Sequence, residues 1–571
     1  MKATELLVRC LENEGVRYIF GVPGEEIMDL LDSLRDSTIT FVPTRHEQGA
    51  AFMADVYGRL SGKAGVCLST LGPGATNLMT GVADATMDHS PVVALTGQVS
   101  LGRMHKEFHQ CLDLETLFRP ITKWSAQIKK AETIPEAVRK AFTVAQTEKP
   151  GATHLDLPED IAKMDVDEEP LQEPGLSPPS VPLACQLERA AQLISTARYP
   201  LVVAGNGVAR AGASAALVRF AEALNLPVAT TFMAKGTIPS GHPLALGVIG
   251  LQSRDSVSWW LDRADVVVAV GYDLVEYAPA RWNPRRDKKI VHLDLSPAEV
   301  DAAYTVVVEV IGDLSPSLSA LSMRATPSQA VCPWTLREAL VTELAEGHRD
   351  QSFPVKPQRL LYELRVAMAT EDILISDVGA HKLWIARLYP CERPNTCIIS
   401  NGFASMGIAL PGAVAAKLLS PHRKVAAVTG DGGFLMNSQE LETAVRLGLA
   451  LVTVICNDGG YGLIRWKQQT RFGREAFVNF GNPDFVRYAE SFGARGYRVE
   501  AADDLPYVLQ EAFVQKGPVV IDCPVDYREN LALTAKLKKL DSCMKPQACS
   551  EDLFGNRSLN RQNHVHPPLS P

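Results

Sequence analysis

Two acidic residues, Asp431 and Asp458, each close a short apolar run, and each is followed by glycines. The first run, Val425 to Thr429, leads into Gly430-Asp431-Gly432-Gly433. The second, Leu449 to Cys456, leads into Asn457-Asp458-Gly459-Gly460. Two hard carboxylates beside a flexible backbone suit a magnesium ion holding a phosphorylated ligand. Magnesium keeps one or two protein carboxylates and fills its octahedron with phosphate oxygens and water. Glycines let the backbone come close to phosphates. A lone Gly-Asp-Gly is more often an ordinary loop after a strand. The second acidic loop, at strand–helix–strand distance, raises it to a candidate site.

The elements that must position these carboxylates follow from the residue pattern. Val425 to Thr429 is rich in β-branched residues, as a buried parallel strand requires. Asn437 stands three residues before Glu440, a capping-box arrangement predicting a helix that opens there and runs to about Leu447. Leu449 to Cys456 is the next strand. Both carboxylates then lie at the carboxyl edge of one parallel sheet, where open α/β sheets bind ligands.

This stretch resembles the signature of the thiamine-diphosphate (ThDP) enzymes, Gly430-Asp431-Gly432 followed by Asn457-Asp458. The resemblance implies that Asp431 and Asp458 ligate Mg2+ through carboxylates and Gly460 through its carbonyl oxygen. It also implies that Gly432, Gly433, Tyr461, Gly462 and Leu463 line the cofactor.

Alternating strands and helices over residues 1–165 give a doubly wound pattern. Strands are expected at Tyr18 to Val22, Ile39 to Pro43, Val66 to Ser69 and Val92 to Thr96. Glu47 opens a helix ending near Leu60. Acidic residues are common at that position because the helix dipole favours them. However, Arg45-His46-Glu47-Gln48-Gly49 through Arg59, followed by Leu71-Gly72-Pro73-Gly74-Ala75-Thr76-Asn77, resembles the first domain of acetolactate synthases. There the glutamate contacts the cofactor's aminopyrimidine ring. A carboxyl in an apolar pocket has a raised pKa. It can share a proton with a ring nitrogen, which makes it an acid–base group acting through the cofactor. Gly24, in the turn after the first strand, belongs to the same implied cofactor contacts. Gln110, in Phe108-His109-Gln110, is implied to lie near the reaction intermediate; a plain surface role is the competing reading.

In residues 335–530 the strand Ile373 to Ser376 precedes Asp377-Val378-Gly379-Ala380-His381. Ser400-Asn401-Gly402-Phe403-Ala404-Ser405-Met406 follows. By resemblance Gly379, His381 and Ala404 contact the diphosphate half. Met406, 25 residues before Asp431, is implied to wedge between the two cofactor rings, a proximity device. Lys467, nine residues after Asp458, falls where biosynthetic relatives carry a tryptophan favouring 2-oxobutanoate as acceptor. Lys467 is therefore a candidate for the acceptor pocket. A solvated surface lysine is the competing reading, and a one-residue register shift would put Trp466 there instead.

Residues 183–325 form a central domain with strands at Leu201 to Ala204, Val266 to Val270 and Ile290 to Asp294. Gly205-Asn206-Gly207 follows the first, but Arg210 stands where a third fingerprint glycine is expected. The segment Gly271 to Tyr277, with Arg281-Trp282-Asn283, resembles the catabolic, FAD-independent acetolactate synthases, so FAD is expected to be absent. Pro158 to Pro182 and Asp313 to Trp334 read as linkers, and 531–571 as a largely flexible tail.

The length of 571 residues calls for several domains. A composition of 46% hydrophobic and 21% charged residues, with net charge −8, leaves no basic footprint for nucleic acid. The eleven cysteines show no paired spacing and the late histidines no zinc spacing. No apolar stretch is long enough to span a bilayer, and Met1 opens directly on a helical pattern, so a cytoplasmic protein is expected. The expected fold is three doubly wound parallel-sheet domains of the ThDP-enzyme type. The resemblance implies a homodimer with active sites at the subunit interface, and possibly a tetramer. It implies condensation of two pyruvates to 2-acetolactate and carbon dioxide through a cofactor-bound enamine. Another 2-oxo acid decarboxylase or carboligase, a sulfoacetaldehyde acetyltransferase, or a catalytically silent homologue are the alternatives.

Overall fold

Three six-stranded sheets, every pairing parallel, organise the computed structural model, which describes residues 1–172, 180–251, 256–329 and 334–543. The first sheet contains β1 (Tyr18–Gly21), β2 (Thr40–Pro43), β3 (Gly65–Ser69), β4 (Val92–Gln98), β5 (Trp124–Gln127) and β6 (Ala152–Pro158), in the order 2-1-3-4-6-5. The second contains β7 (Pro200–Ala204), β8 (Val228–Thr230), β9 (Ala245–Val248), β10 (Val266–Val270), β11 (Lys289–Asp294) and β12 (Val306–Ile311), in the order 12-11-10-7-8-9. The third contains β13 (Ile373–Ser376), β14 (Cys397–Ile399), β15 (Val425–Gly430), β16 (Val452–Asn457), β17 (Arg495–Arg498) and β18 (Val519–Pro524), in the order 14-13-15-16-18-17. The first and third sheets therefore share one topology, and the central one has the dinucleotide-fold order. The central strands are continuous Val/Ala/Ile/Leu runs buried on both faces, as helix-covered parallel sheets require.

The first and third domains share a core. The Glu47–Ser61 helix is buried around almost its whole circumference, which a helix tolerates only in the middle of a protein. It packs between the Pro73–Met87 helix and the third domain's Ala409–Leu419 helix. Small residues permit the approach. A Cβ on Gly81 would stand 2.5 Å from that of Ala51, and one on Gly412 would stand 2.8 Å from Val56.

Three expectations need correction. Asp313 to Trp334 is not a plain linker: Leu314–Ser322 is a helix that buries Leu314, Leu318 and Leu321 in the central core. Its serines and prolines suggested a loop, yet the proline lies in the first turn, where helices accept it. The tail does not begin at 531, because Glu529–Cys543 is a helix burying Leu533 and Leu537 against the third sheet; the rest of that tail lies outside the described residues. Asn437 does not open a helix, since the chain is helical from Asp431 to Asn437 and again from Glu440 to Arg446. Its amide donates to the Gly407 carbonyl at 3.0 Å, and the Glu440 carboxylate is drawn to the first domain instead. Among the described residues no helix is long and apolar enough to cross a membrane.

Candidate active site

In the third sheet the strand order reverses at the parallel neighbours β13 and β15, so the connections leaving them go to opposite sides and leave a crevice at their carboxyl ends. A cavity of about 160 Å3 lies there. β13 delivers Gly379 and His381, and β15 delivers Asp431, Gly432 and Gly433. β16 delivers Asp458, Gly460, Tyr461, Gly462 and Leu463, and the loop after β14 delivers Ala404 and Met406. All these residues line one space.

The two acidic loops are tied to each other. Asp431 accepts the Gly432 N–H at 2.9 Å through one oxygen. Through the other it accepts the Gly459 N–H at 2.8 Å and the Asn482 amide at 2.7 Å. Asp458 accepts from Arg465 at 2.5 Å. Burial, then the neighbouring Asp431 carboxylate, pushes Asp458 up to about 7. Two buried carboxylates facing one space are a donor set that a divalent cation would relieve. The Gly460 carbonyl accepts the Gly462 N–H at 3.0 Å and keeps a second lone pair. Among the described residues no group of three or more His, Cys, Asp or Glu side chains is arranged to hold a metal ion. The metal reading thus rests on two carboxylates and a carbonyl.

His381 is buried, and its Nε2 has no protein partner. Burial pushes its pKa down to about 4, so the ring is neutral near pH 7. An orphaned buried nitrogen on the cavity wall calls for a ligand atom. These features fit a magnesium-bound diphosphate.

The first-domain residues form a second group. Glu47 begins its helix with a nearly buried carboxyl that accepts from the Asn77 amide at 2.9 Å. Gly24 packs on Thr70, where a Cβ would come within 2.4 Å. Gln110, with φ +55°, abuts Gly72. Gly24, Thr70 and Gly74 thus gather at the β1–β3 switch point of the first sheet, with Glu47 beside Gly74. None of Gly24, Glu47 and Gln110 lines the third-domain cavity of the same chain. Lys467 is exposed on the Gly462–Phe472 helix. Trp466 turns into the core and donates to Thr534 at 2.8 Å.

The family models agree with this architecture. The thiamine pyrophosphate enzyme N-terminal TPP binding domain matches residues 1–117, the central domain 187–321, and the C-terminal TPP binding domain 377–523. The chain is 38% identical to the acetolactate synthase of Bacillus subtilis, over 96% of this chain and 97% of that one. It is 37% identical to a probable acetolactate synthase large subunit of Methanocaldococcus jannaschii, over 96% and 95%. It is also 37% identical to a catabolic acetolactate synthase of Raoultella terrigena, over 93% and 96%. The chain belongs to the acetolactate synthase family of thiamine pyrophosphate enzymes.

Several side chains of this acetolactate synthase-family site carry no signal in the motifs. Asn482 bridges Asp431 and Asn457 from a loop beyond both. Tyr527 lines the cavity from beyond β18, with its buried hydroxyl beside the Cys456 thiol. Asp377 is fully buried and accepts the Gly407 N–H at 2.8 Å, which fixes the Met406 loop. Only its place at the end of β13 hinted at a role.

Proposed function

We propose that this protein condenses two molecules of pyruvate to 2-acetolactate and carbon dioxide, using thiamine diphosphate and Mg2+. The observation that carries the reading is the cavity at the β13/β15 switch, where Asp431, Asp458 and the unpartnered His381 nitrogen face one space. Bound thiamine diphosphate supplies a nucleophilic ring carbon and the electron sink for decarboxylation. The chain supplies the rest. Asp431, Asp458 and the Gly460 carbonyl would hold the cation that a bound diphosphate needs. The unpartnered His381 nitrogen would be available to the diphosphate from the cavity wall. Met406 and Ala404, which line the cavity, would shape the wall against which the cofactor lies. The Glu47 carboxyl, oriented by Asn77, holds a proton at the pyrimidine ring nitrogen, the acid–base role that the reaction needs. Gln110 and Lys467 would act on the substrate rather than on the cofactor.

The site is completed by a second copy of the chain. What supports this is the division of the site residues into two groups, with Glu47 absent from the cavity that holds Asp431. In a two-fold dimer each first domain serves the partner's third domain.

Flavin is not part of the enzyme. The Gly205-Asn206-Gly207 turn, where a dinucleotide phosphate would sit, is taken by the protein itself. The buried Glu276 carboxylate accepts the Asn206 N–H at 2.9 Å, and Arg210 is paired with Asp273 at 3.0 Å.

The experiment is product analysis. Purified protein with pyruvate, thiamine diphosphate and magnesium should give acetolactate and remain colourless. Acetaldehyde as the main product, or a stoichiometric yellow chromophore, would refute the corresponding half of the proposal.

A further inference from the structure

Glu440 begins a third-domain helix, yet its carboxylate serves the first domain. The residue is fully buried. One oxygen accepts the N–H groups of Arg45 at 3.1 Å and His46 at 3.0 Å; the other accepts from Arg45 at 3.3 Å and from the Thr443 hydroxyl at 2.8 Å. Those amides lie between the end of β2 and the first turn of the Glu47 helix, where neither ladder nor helix supplies a regular partner. Room for the carboxylate is made inside that helix. A Cβ on Gly49 would stand 2.7 Å from the carboxylate oxygen and 2.9 Å from Glu440 Cγ. The His46 ring is used differently, accepting the Gln48 N–H at 3.1 Å as the helix's own cap. A buried carboxylate persists only where hydrogen bonds replace its water, so two main-chain amides next to Glu47 are a specific destination.

We infer that Glu440 is the positioning residue for Glu47, reaching from the third domain to hold the turn that aims the Glu47 carboxyl. The inference rests on the proposed role of Glu47. The Glu440 helix follows the Asp431 helix after only Ser438 and Gln439. One short segment therefore carries a cation ligand at its start and sets the acid–base group near its end.

The test compares full-length Glu440→Gln and Gly49→Ala with Glu47→Gln. Glu440→Gln keeps one acceptor oxygen but puts an amide NH2 where the second oxygen accepts the Arg45 N–H and the Thr443 hydroxyl; Gly49→Ala displaces the carboxylate without changing its chemistry. Misplacing a reacting group by an ångström costs on the order of 100-fold, so kcat in both variants should fall by about 10- to 100-fold, with KM for pyruvate unchanged. Hydrogen exchange should accelerate at the Arg45 and His46 amides in protein without cofactor, while exchange at the amides of β15 and β16 stays as in wild type. A merely structural role would not split kcat from KM in this way. Wild-type kcat in Glu440→Gln, or unchanged exchange at those two amides, would overturn the inference. Normal turnover in Glu47→Gln would instead overturn the reading of Glu47, while the exchange data would still report on Glu440. If Glu440→Gln fails to fold, Gly49→Ala decides by the same two readouts.

Discussion

Arg59→Met should destabilise the seam between the first and third domains. The Arg59 guanidinium donates to Asp55 at 2.8 and 3.0 Å, to Asp84 at 3.1 Å and to Asp88 at 2.6 Å, and all three carboxylates are fully buried. Two of them face the third domain. Asp84 accepts the Ser400 hydroxyl at 2.8 Å and the Ser405 N–H at 3.2 Å, and Asp88 accepts the Asn401 N–H at 3.1 Å. These groups flank Ala404 and Met406. Methionine keeps the length and removes the charge, leaving three buried carboxylates without a cation. Removing one partner of a buried ion pair costs about 3–5 kcal/mol. The loss should not triple, because the carboxylates would take up protons. Burial already holds Asp84 well above the usual carboxylate range. A carboxyl whose folded pKa is raised contributes stability in full below its unfolded pKa and loses it as pH rises through the folded value. The deficit against wild type should therefore grow from acidic to alkaline buffer. Denaturant unfolding at several pH values measures it, and fluorescence titration with thiamine diphosphate and magnesium should show weakened binding. A deficit below about 1 kcal/mol, the scale of an exposed pair, or one that shrinks with rising pH, would refute the reasoning.

Glu47→Gln should lower turnover by at least about 100-fold, the scale of a lost acid–base group, with unfolding unchanged; near-normal turnover would exclude Glu47 from the chemistry. Asp431→Ala and Asp458→Ala should each abolish tight thiamine diphosphate binding, and dialysis against a chelator should inactivate the wild type until both magnesium and cofactor return. Unchanged cofactor affinity in both variants would defeat the metal assignment. Trp466→Ala should cost stability, about 3–5 kcal/mol for a large side chain cut from a core, without altering acceptor choice, whereas Lys467→Gln should leave stability alone. Pyruvate should compete with 2-oxobutanoate roughly in proportion to concentration, since one methylene is worth only about 1–3 kcal/mol. Strong enrichment of the 2-oxobutanoate product, lost in Trp466→Ala but kept in Lys467→Gln, would mean that Trp466 is the acceptor residue.

The strands that were legible in the sequence, such as β10 and β13, were so because a helix-covered parallel strand must be a short, uninterrupted apolar run; β5, β6, β8, β9, β12, β14, β17 and β18 were not read. Val266–Val270 and Ile373–Ser376 have the expected bounds. Asp431 and Asp458 were legible because loops at the carboxyl edge of such a sheet have nowhere else to point. What escaped was whatever depends on another part of the chain. Glu440 looked like the third residue of a capping box, and only the amides of Arg45 and His46, far away in sequence, give it a different use. Asn482 reaches Asp431 from a loop with no periodicity of its own. The Leu314–Ser322 helix was hidden by composition, since its leucines become a stripe only once the central core is there to receive them.

The shared core of the first and third domains has a consequence for how the chain is made. The Glu47–Ser61 helix leaves the ribosome early, but Val56 packs on Gly412, and Asp84 and Asp88 bind residues from Ser400 onward. At about 5–20 residues per second, those partners follow roughly tens of seconds later. During that interval the first sheet can form, but one face of its central helix has nothing to pack against, and buried-to-be carboxylates stand in water around Arg59. The nascent first domain is thus a folding unit with an unfinished side. A chain truncated after that domain should accumulate in aggregates or on chaperones, and the same chain should become soluble when the third domain is supplied.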